Sequence, residues 1–249
     1  MSCKPSPKIQ ELTNKSLEDA EWQLRLYNLL QDQTEVEFNP VELICKVFDQ
    51  NLFAHVHWVR NNYFFKELKL HLDDQMILLQ DSWSEMLILD QMHHRIHHNL
   101  PDETELPNGQ RFELLSLALL GVPSLAKKFH EISDDLKQLC FDSTDYVCLK
   151  FILFLNTGVA QNRQHVNECS NQIHEILLEY CQTCYPNIPE KYNHLLAQIP
   201  KLRLMAQRGE DFLYFKHTEG HVIHRTLLME MLREKRRARM NFLQVHSSG

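Results

Sequence analysis

The sequence predicts an all-α fold, a three-layer antiparallel α-helical sandwich with one short β-hairpin. Three observations carry that reading. The 249 residues include only 6 Gly and 9 Pro, so helix breakers are scarce. Apolar residues recur every three or four positions over long stretches, which is the helical period. The segment QMILLQDSWSEMLILDQMHHRI (75–96) is apolar around most of its circumference, as expected of a helix covered on several sides.

The elements follow in order. Residues 1–16 are polar, contain two prolines, and read as a linker remnant. Helical periodicity begins near Ser16 or Leu17, with Leu24, Leu26, Tyr27 and Leu30 on one side. This helix holds an LxxLL spacing of its own, LYNLL (26–30), which reads as core-facing. Asn39 can cap the next helix and Pro40 suits its first position. Val41, Ile44, Phe48, Leu52, Val56, Val59 and Tyr63 then extend it over roughly 25–28 residues, about 40 Å. A second long helix opens at Asp73-Asp74. LPDETELPNGQRFEL (100–114) breaks the pattern, and Asn108-Gly109 predicts a hairpin with a type I′ turn. Helices resume in LLSLALLGVPSLAKKFHEI, interrupted by Gly121 and Pro123, and in DSTDYVCLKFILFLN, with Asp142 or Ser143 as the cap. VNECSNQIHEILLEYCQTC follows and ends before Pro186 and Pro189. The last long helix runs from Glu190 to His217 and should bend at Pro200. RTLLMEMLREKRRARM (225–240) is the final helix, and the basic residues 234–249 read as a solvated tail beyond a single domain at 17–233.

Composition excludes several classes of function. The formal net charge of −7 argues against a nucleic-acid surface over the whole domain. Seven cysteines, odd in number and mostly within apolar helical stretches, suit reduced thiols better than a disulfide framework. No apolar run approaches ~20 residues and MSCKPSPKIQ has no apolar signal core, so a soluble intracellular chain is expected. No GxSxG, P-loop or GxGxxG occurs, so the chain is not read as an enzyme. HHRIHH (93–98) places histidines at i, i+4, but no glutamate completes HExxH and only Asp90 lies near. It reads as a polar helix end, with no metal expected. Cys181-x-x-Cys184 has no second CxxC and ends a helix rather than opening one.

WVRNNYFFKELKLHLDDQMILLQDSWSEMLIL (58–89) resembles the signature of nuclear-receptor ligand-binding domains. Trp58-Val59-Arg60, Asp74-Gln75, Leu78-Leu79 and Trp83-Ser84-Glu85 stand in the family's order. YVCLKF, LPDETELPNGQ, RGEDFLYFKH and LLMEML narrow the resemblance to the group-five orphan receptors, the fushi tarazu factor and steroidogenic factor subfamily, and to its insect-type members. The match covers roughly residues 18–232. One departure is LHL (70–72), which resembles a two-residue insertion before the DDQ motif and should alter the rim of the adjacent groove while leaving the helices intact.

The resemblance implies a regulatory domain of a longer, nuclear transcription factor that recruits LxxLL coregulator helices, generally as a monomer. DNA would be contacted through a separate paired zinc finger, whose cysteine spacing these residues do not supply. A short LxxLL helix exposes N–H groups at one end and C=O groups at the other, so a carboxylate and a cation complement both ends and the helix dipole. By resemblance Glu230 is that carboxylate and Arg60 the cation, with Gln80 near the Arg60 end. The groove walls are then Val56, Met76, Leu79, Leu227 and Met231. Periodicity alone gives Glu230 the plainer role of a solvent-facing charge on an amphipathic helix.

Some relatives hold a phospholipid by a backbone glycine, a tyrosine and a lysine. Here Lys216 matches the lysine, Gly121 matches the glycine after a one-residue slip, and Phe212 stands at the tyrosine position, where it cannot donate to phosphate. LLGVPSL is bulky enough to pack inward, so the expected pocket is small, filled or weakly liganded, with the terminal helix active constitutively. The alternatives are a phospholipid-gated receptor domain, a helical scaffold outside the receptor family, or an unrecognised helical enzyme.

Overall fold

The computed structural model describes residues 19–33, 39–61, 69–156, 158–220 and 226–247. The linker remnant, Tyr63 and most of FFKELK lie outside them. The described elements are α1 (Asp19–Gln31), α2 (Pro40–Asn61), α3 (Leu72–His98), β1 (Glu103–Glu105), β2 (Arg111–Glu113), α4 (Leu115–Ala118), α5 (Ala126–Gln138), α6 (Ser143–Phe154), α7 (Arg163–Cys184), α8 (Lys191–Leu196), α9 (Gln198–Thr218) and α10 (Leu227–Ser247).

The fold is the expected helical sandwich. α3 and α6 form its sandwiched middle, α1 and α2 lie against one side, and α5, α8 and α9 complete the other. Ser82 through Leu89 of α3 are all buried, which explains why this helix shows no polar face in the sequence. α6 is likewise buried along nearly its whole length, and it starts at a capping box in which Asp142 accepts from Thr144 and Asp145 N–H while Asp145 accepts from Asp142 N–H. Leu26 and Leu30 of LYNLL are buried and Leu29 packs on the core, so this LxxLL segment faces inward.

Polar groups join the layers. Asp90 on α3 accepts from Tyr146 Oη (2.7 Å) and Lys150 Nζ (2.7 Å) of α6 and bonds His55 Nε2 (2.8 Å) of α2. Burial alone would push the Asp90 carboxyl up, but Lys150 and His55 together hold it well below the usual carboxylate range. At the start of α3, Asp74 accepts from the backbone N–H of Gln161 (2.7 Å) and Asn162 (3.4 Å), fastening that helix to the beginning of α7.

Three local expectations are corrected. The hairpin is present, pairing Glu105 with Arg111, but its turn is not type I′. Gly109 N–H bonds Leu106 C=O, so Pro107 and Asn108 are the central residues, and Gly109 alone of the turn has positive φ (78°). Proline fixes a negative φ, which dictates a type I turn followed by a left-handed glycine. The helix expected from Glu190 to His217 is interrupted at Ala197, with α8 ending at Leu196 and α9 starting at Gln198. The Pro200 ring clashes with the carbonyl four residues back, that of Leu196, which is where α8 stops. Cys184 is disulfide-bonded, against the expectation of reduced thiols, whereas Cys181 is a free, buried thiol that burial pushes up to about 12 and leaves inert.

Candidate functional site

The terminal helix explains its own sequence once its faces are assigned. Leu228, Met229, Met231, Leu232 and Lys235 are buried, whereas Glu230 and Arg233 are exposed and Leu227 is half-buried. The stripe 228, 229, 231, 232, 235 is one helical face, so the acid between two apolar pairs points outward while both pairs point in. α10 packs on α2, α3 and α9. Its start is anchored by Thr226 Oγ1, which accepts from Met229 N–H (3.4 Å), and by Asp49 Oδ1 of α2, which accepts from Leu228 N–H (2.9 Å). Both acceptors satisfy N–H groups that a helix start leaves without partners.

The second anchor departs from the expected solvated tail. The helix continues through the basic run to Ser247, and Lys235 is only 5 % exposed. Its Nζ lies 2.6 Å from Glu210 of α9 and 3.1 Å from Glu85 of α3, and donates to Ser84 Oγ at 3.2 Å. Ser84 Oγ also bonds the Glu210 carboxylate. Arg239 pairs with Glu210 at 2.7 Å, and the Arg236 guanidinium sits 4.3 Å over the Tyr214 ring. Burial pushes the Glu85 carboxyl up against the opposing pull of Lys235, and the two carboxylates raise Lys235 in spite of its own burial. A periodicity argument assigns the basic residues to solvent because their partners, Glu85 and Glu210, are distant in sequence.

The exposed sides of α2 and α3 complete the site. Arg60 lies in the last turn of α2 and is exposed; among the described residues neither it nor Glu230 is ion-paired. Val56 and Gln80 are half-buried and Met76 is exposed, so all three are accessible to solvent. Leu79 and Met231 are buried, at 1 % and 2 %, and lie beneath the surface rather than forming its walls. The sequence reading missed two accessible residues, Phe53 (59 % exposed) and Leu72 (55 %). Phe53 stands seven residues before Arg60 and Leu72 four before Met76, so helical spacing from the assigned residues would have found both. Leu72 belongs to the apparent LHL insertion: Leu70 is buried, His71 caps α3 by accepting from Asp73 N–H, and Leu72 presents its side chain to solvent.

The three candidate ligand residues also meet. A Cβ placed on Gly121 (φ 80°) would lie 2.9 Å from Phe212 Cε1, so the ring closes directly over that backbone. Lys216 Nζ lies 5.8 Å from the Phe212 and Phe215 ring centres and pairs with Glu219 at 3.1 Å. Beside them Leu117, Leu119 and Leu120 of LLSLALLGVPSL are buried. Leu120 adopts a positive φ of 49°, and its side chain occupies the space that a Cβ on Gly209 of α9 would need. A cleft of about 610 Å³ opens nearby between the start of α2 and the hairpin, lined by Pro40, Val41, Ile44 and Phe112 and reaching Gly121.

A family model described as the ligand-binding domain of nuclear hormone receptor matches residues 30–219. The chain is 52 % identical over 236 residues to nuclear hormone receptor FTZ-F1 of Drosophila melanogaster, covering 93 % of this chain and 23 % of that protein. It is 50 % identical over 237 residues to nuclear hormone receptor FTZ-F1 of Bombyx mori (94 % and 44 %), and 38 % identical over 199 residues to nuclear receptor subfamily 5 group A member 2 of Mus musculus (78 % and 35 %). The chain thus spans less than half the length of these relatives. The crystal structure of the ligand-binding domain of fushi tarazu factor 1 of Drosophila melanogaster superposes with a TM-score of 0.88 at 52 % identity, covering 92 % of this chain and 95 % of that one.

Proposed function

Because the chain belongs to the nuclear hormone receptor ligand-binding domain family, on its FTZ-F1 branch, we propose that it recruits LxxLL helices of coregulators through a preformed groove on α2, α3 and α10. The observation that carries this reading is the docking of α10 with Glu230 outward, anchored at its start by Asp49 and two turns further on by Lys235. Glu230 then meets the N–H end of the peptide helix and Arg60 its C=O end, while Phe53, Val56, Leu72, Met76 and Leu227 receive the leucines. Gln80 contributes at the Arg60 end. The receptor acts in the nucleus as a monomer and reaches DNA through another domain of the longer protein.

The groove is active without hormone, because the cavity behind it is filled by the chain itself. The close packing of Leu120 on Gly209 and of Phe212 on Gly121 supports this reading. A second reading, a phospholipid-gated domain, is favoured by the cleft that reaches Gly121. A lipid there would place its head group at Lys216, with Phe212 unable to donate to it.

Binding of a fluorescent LxxLL peptide to lipid-free protein distinguishes the two. Wild type is expected to bind in the micromolar range. Glu230→Ala and Arg60→Ala should each lose about 1–3 kcal/mol, roughly 5- to 150-fold in affinity. Equal binding by all three proteins sinks the clamp, and binding that appears only after phospholipid is added establishes the gated reading, with Lys216→Ala as its next test.

A further inference from the structure

We infer that the C-terminal end of α3 carries a divalent transition-metal site, best suited to zinc, formed by His93, His94 and His98. The HHRIHH segment is not the polar helix end that its composition suggests. His93 and His94 are buried and His98 is half-buried, while His97 is exposed. One ring nitrogen from each of His93, His94 and His98 lies within 4.8 Å of the other two. The ring centres form a nearly equilateral triangle, with sides of 5.8, 5.9 and 5.8 Å. The trio is thus the i, i+4 pair His94 and His98 joined by His93, while His97 stands outside it. All three lie in the last two turns of α3, which ends at His98 with Asn99 left-handed behind it.

Three imidazoles on a tetrahedral zinc, at about 2.0–2.1 Å per bond, place their nitrogens about 3.4 Å apart. Each nitrogen here must move inward by about 1 Å, which rotation about the broad terminal torsion of a histidine supplies. Part of the arrangement is already fixed. His93 stacks on Tyr146 at 4.1 Å between ring centres and 18° between planes, and Tyr146 is held by its hydrogen bond to Asp90. The end of a helix carries a partial negative charge, so the cation is favoured there without a carboxylate ligand. A donor set of neutral imidazoles suits zinc, copper or nickel and is unsuited to calcium or magnesium, which take oxygen ligands. The fourth position goes to water. At 1.5 Å per residue the site lies about 20–27 Å along α3 from Gln80, remote from the proposed peptide groove.

Cobalt(II) and zinc(II) added to the chelator-treated chain test the assignment. Wild type should bind one cobalt with the visible absorption of a four-coordinate ion and no thiolate charge-transfer band, zinc should displace it, and zinc should raise Tm where magnesium does not. His98→Ala and His94→Ala should weaken uptake at least about tenfold, and His97→Ala should leave it unchanged; near-native circular dichroism of each variant removes misfolding as the cause. Uptake should weaken at acidic pH, because only the neutral ring ligates. No cobalt spectrum, a spectrum dominated by thiolate, undiminished uptake by His98→Ala, or equal loss in His97→Ala overturns the proposal.

Discussion

Lys235→Met should destabilise the docked terminal helix by about 3–5 kcal/mol, the usual cost of removing one partner from a buried ion pair. Glu85 then remains buried without the cation 3.1 Å away, whereas Glu210 keeps Arg239. The loss should be local at first: amides of α10 exchange hydrogen faster and LxxLL peptide affinity falls, although Lys235 does not face the groove. The effect should also depend on pH with a definite sign. Burial holds the Glu85 carboxyl above its ordinary value even with Lys235 present, and removing the lysine raises it further. A carboxyl whose folded pKa exceeds its unfolded value, about 4.3 for Glu, binds its proton more tightly when folded. Stability is therefore regained as pH falls through the folded pKa and is lost again as pH rises through it. The deficit of Lys235→Met relative to wild type should be largest near pH 8 and shrink toward pH 5. A urea midpoint for the variant equal to wild type at both pH values would show that the lysine is not an anchor.

Leu120→Ala carries the second large effect. Leu120 is fully buried, and truncating such a leucine costs about 2–5 kcal/mol through lost burial and the cavity left behind. Its positive φ is a strain that alanine inherits, so the backbone gains nothing in compensation. The complementary substitution, Gly209→Ala, places a methyl group where the Leu120 side chain sits and must displace it. The two changes should be strongly non-additive: Gly209→Ala alone destabilises, and in the Leu120→Ala background it costs much less because the space is vacant. Denaturant unfolding of the four proteins gives the coupling, and additive losses would show that the contact does not fill the cavity. The filled-pocket reading adds a functional consequence. Leu120→Ala should acquire measurable phospholipid binding that wild type lacks, whereas a gated receptor would bind phospholipid in both.

Much of the architecture was legible because it depends on local chemistry. The period of α2, the Asn39-Pro40 start and the Asp142 capping box are fixed by residues within four positions of one another, and each stands where the sequence placed it. The interruption at Ala197 and the type I turn at Pro107-Asn108 were legible in the same way but were given the wrong strength and frame. In both cases the fixed geometry of proline was underweighted against helix periodicity or an Asn-Gly pair. Arg60, Glu230 and the groove residues were read through the family's motifs, and helical spacing from them reaches Phe53 and Leu72.

By itself the sequence determined the class of fold, the order of its helices and the outward acid in LLMEML, since each is set by the spacing of residues along one helix. The fate of the basic run and of the histidine run was decided only by tertiary structure. Lys235 meets Glu85 and Glu210 across 150 and 25 positions of chain, and His93 is buried by stacking on Tyr146 of another helix. Whether a charged or polar side chain is solvated or buried depends on what lies opposite it. Periodicity shows which residues share a face, but only packing supplies the partner that makes burial of that face favourable.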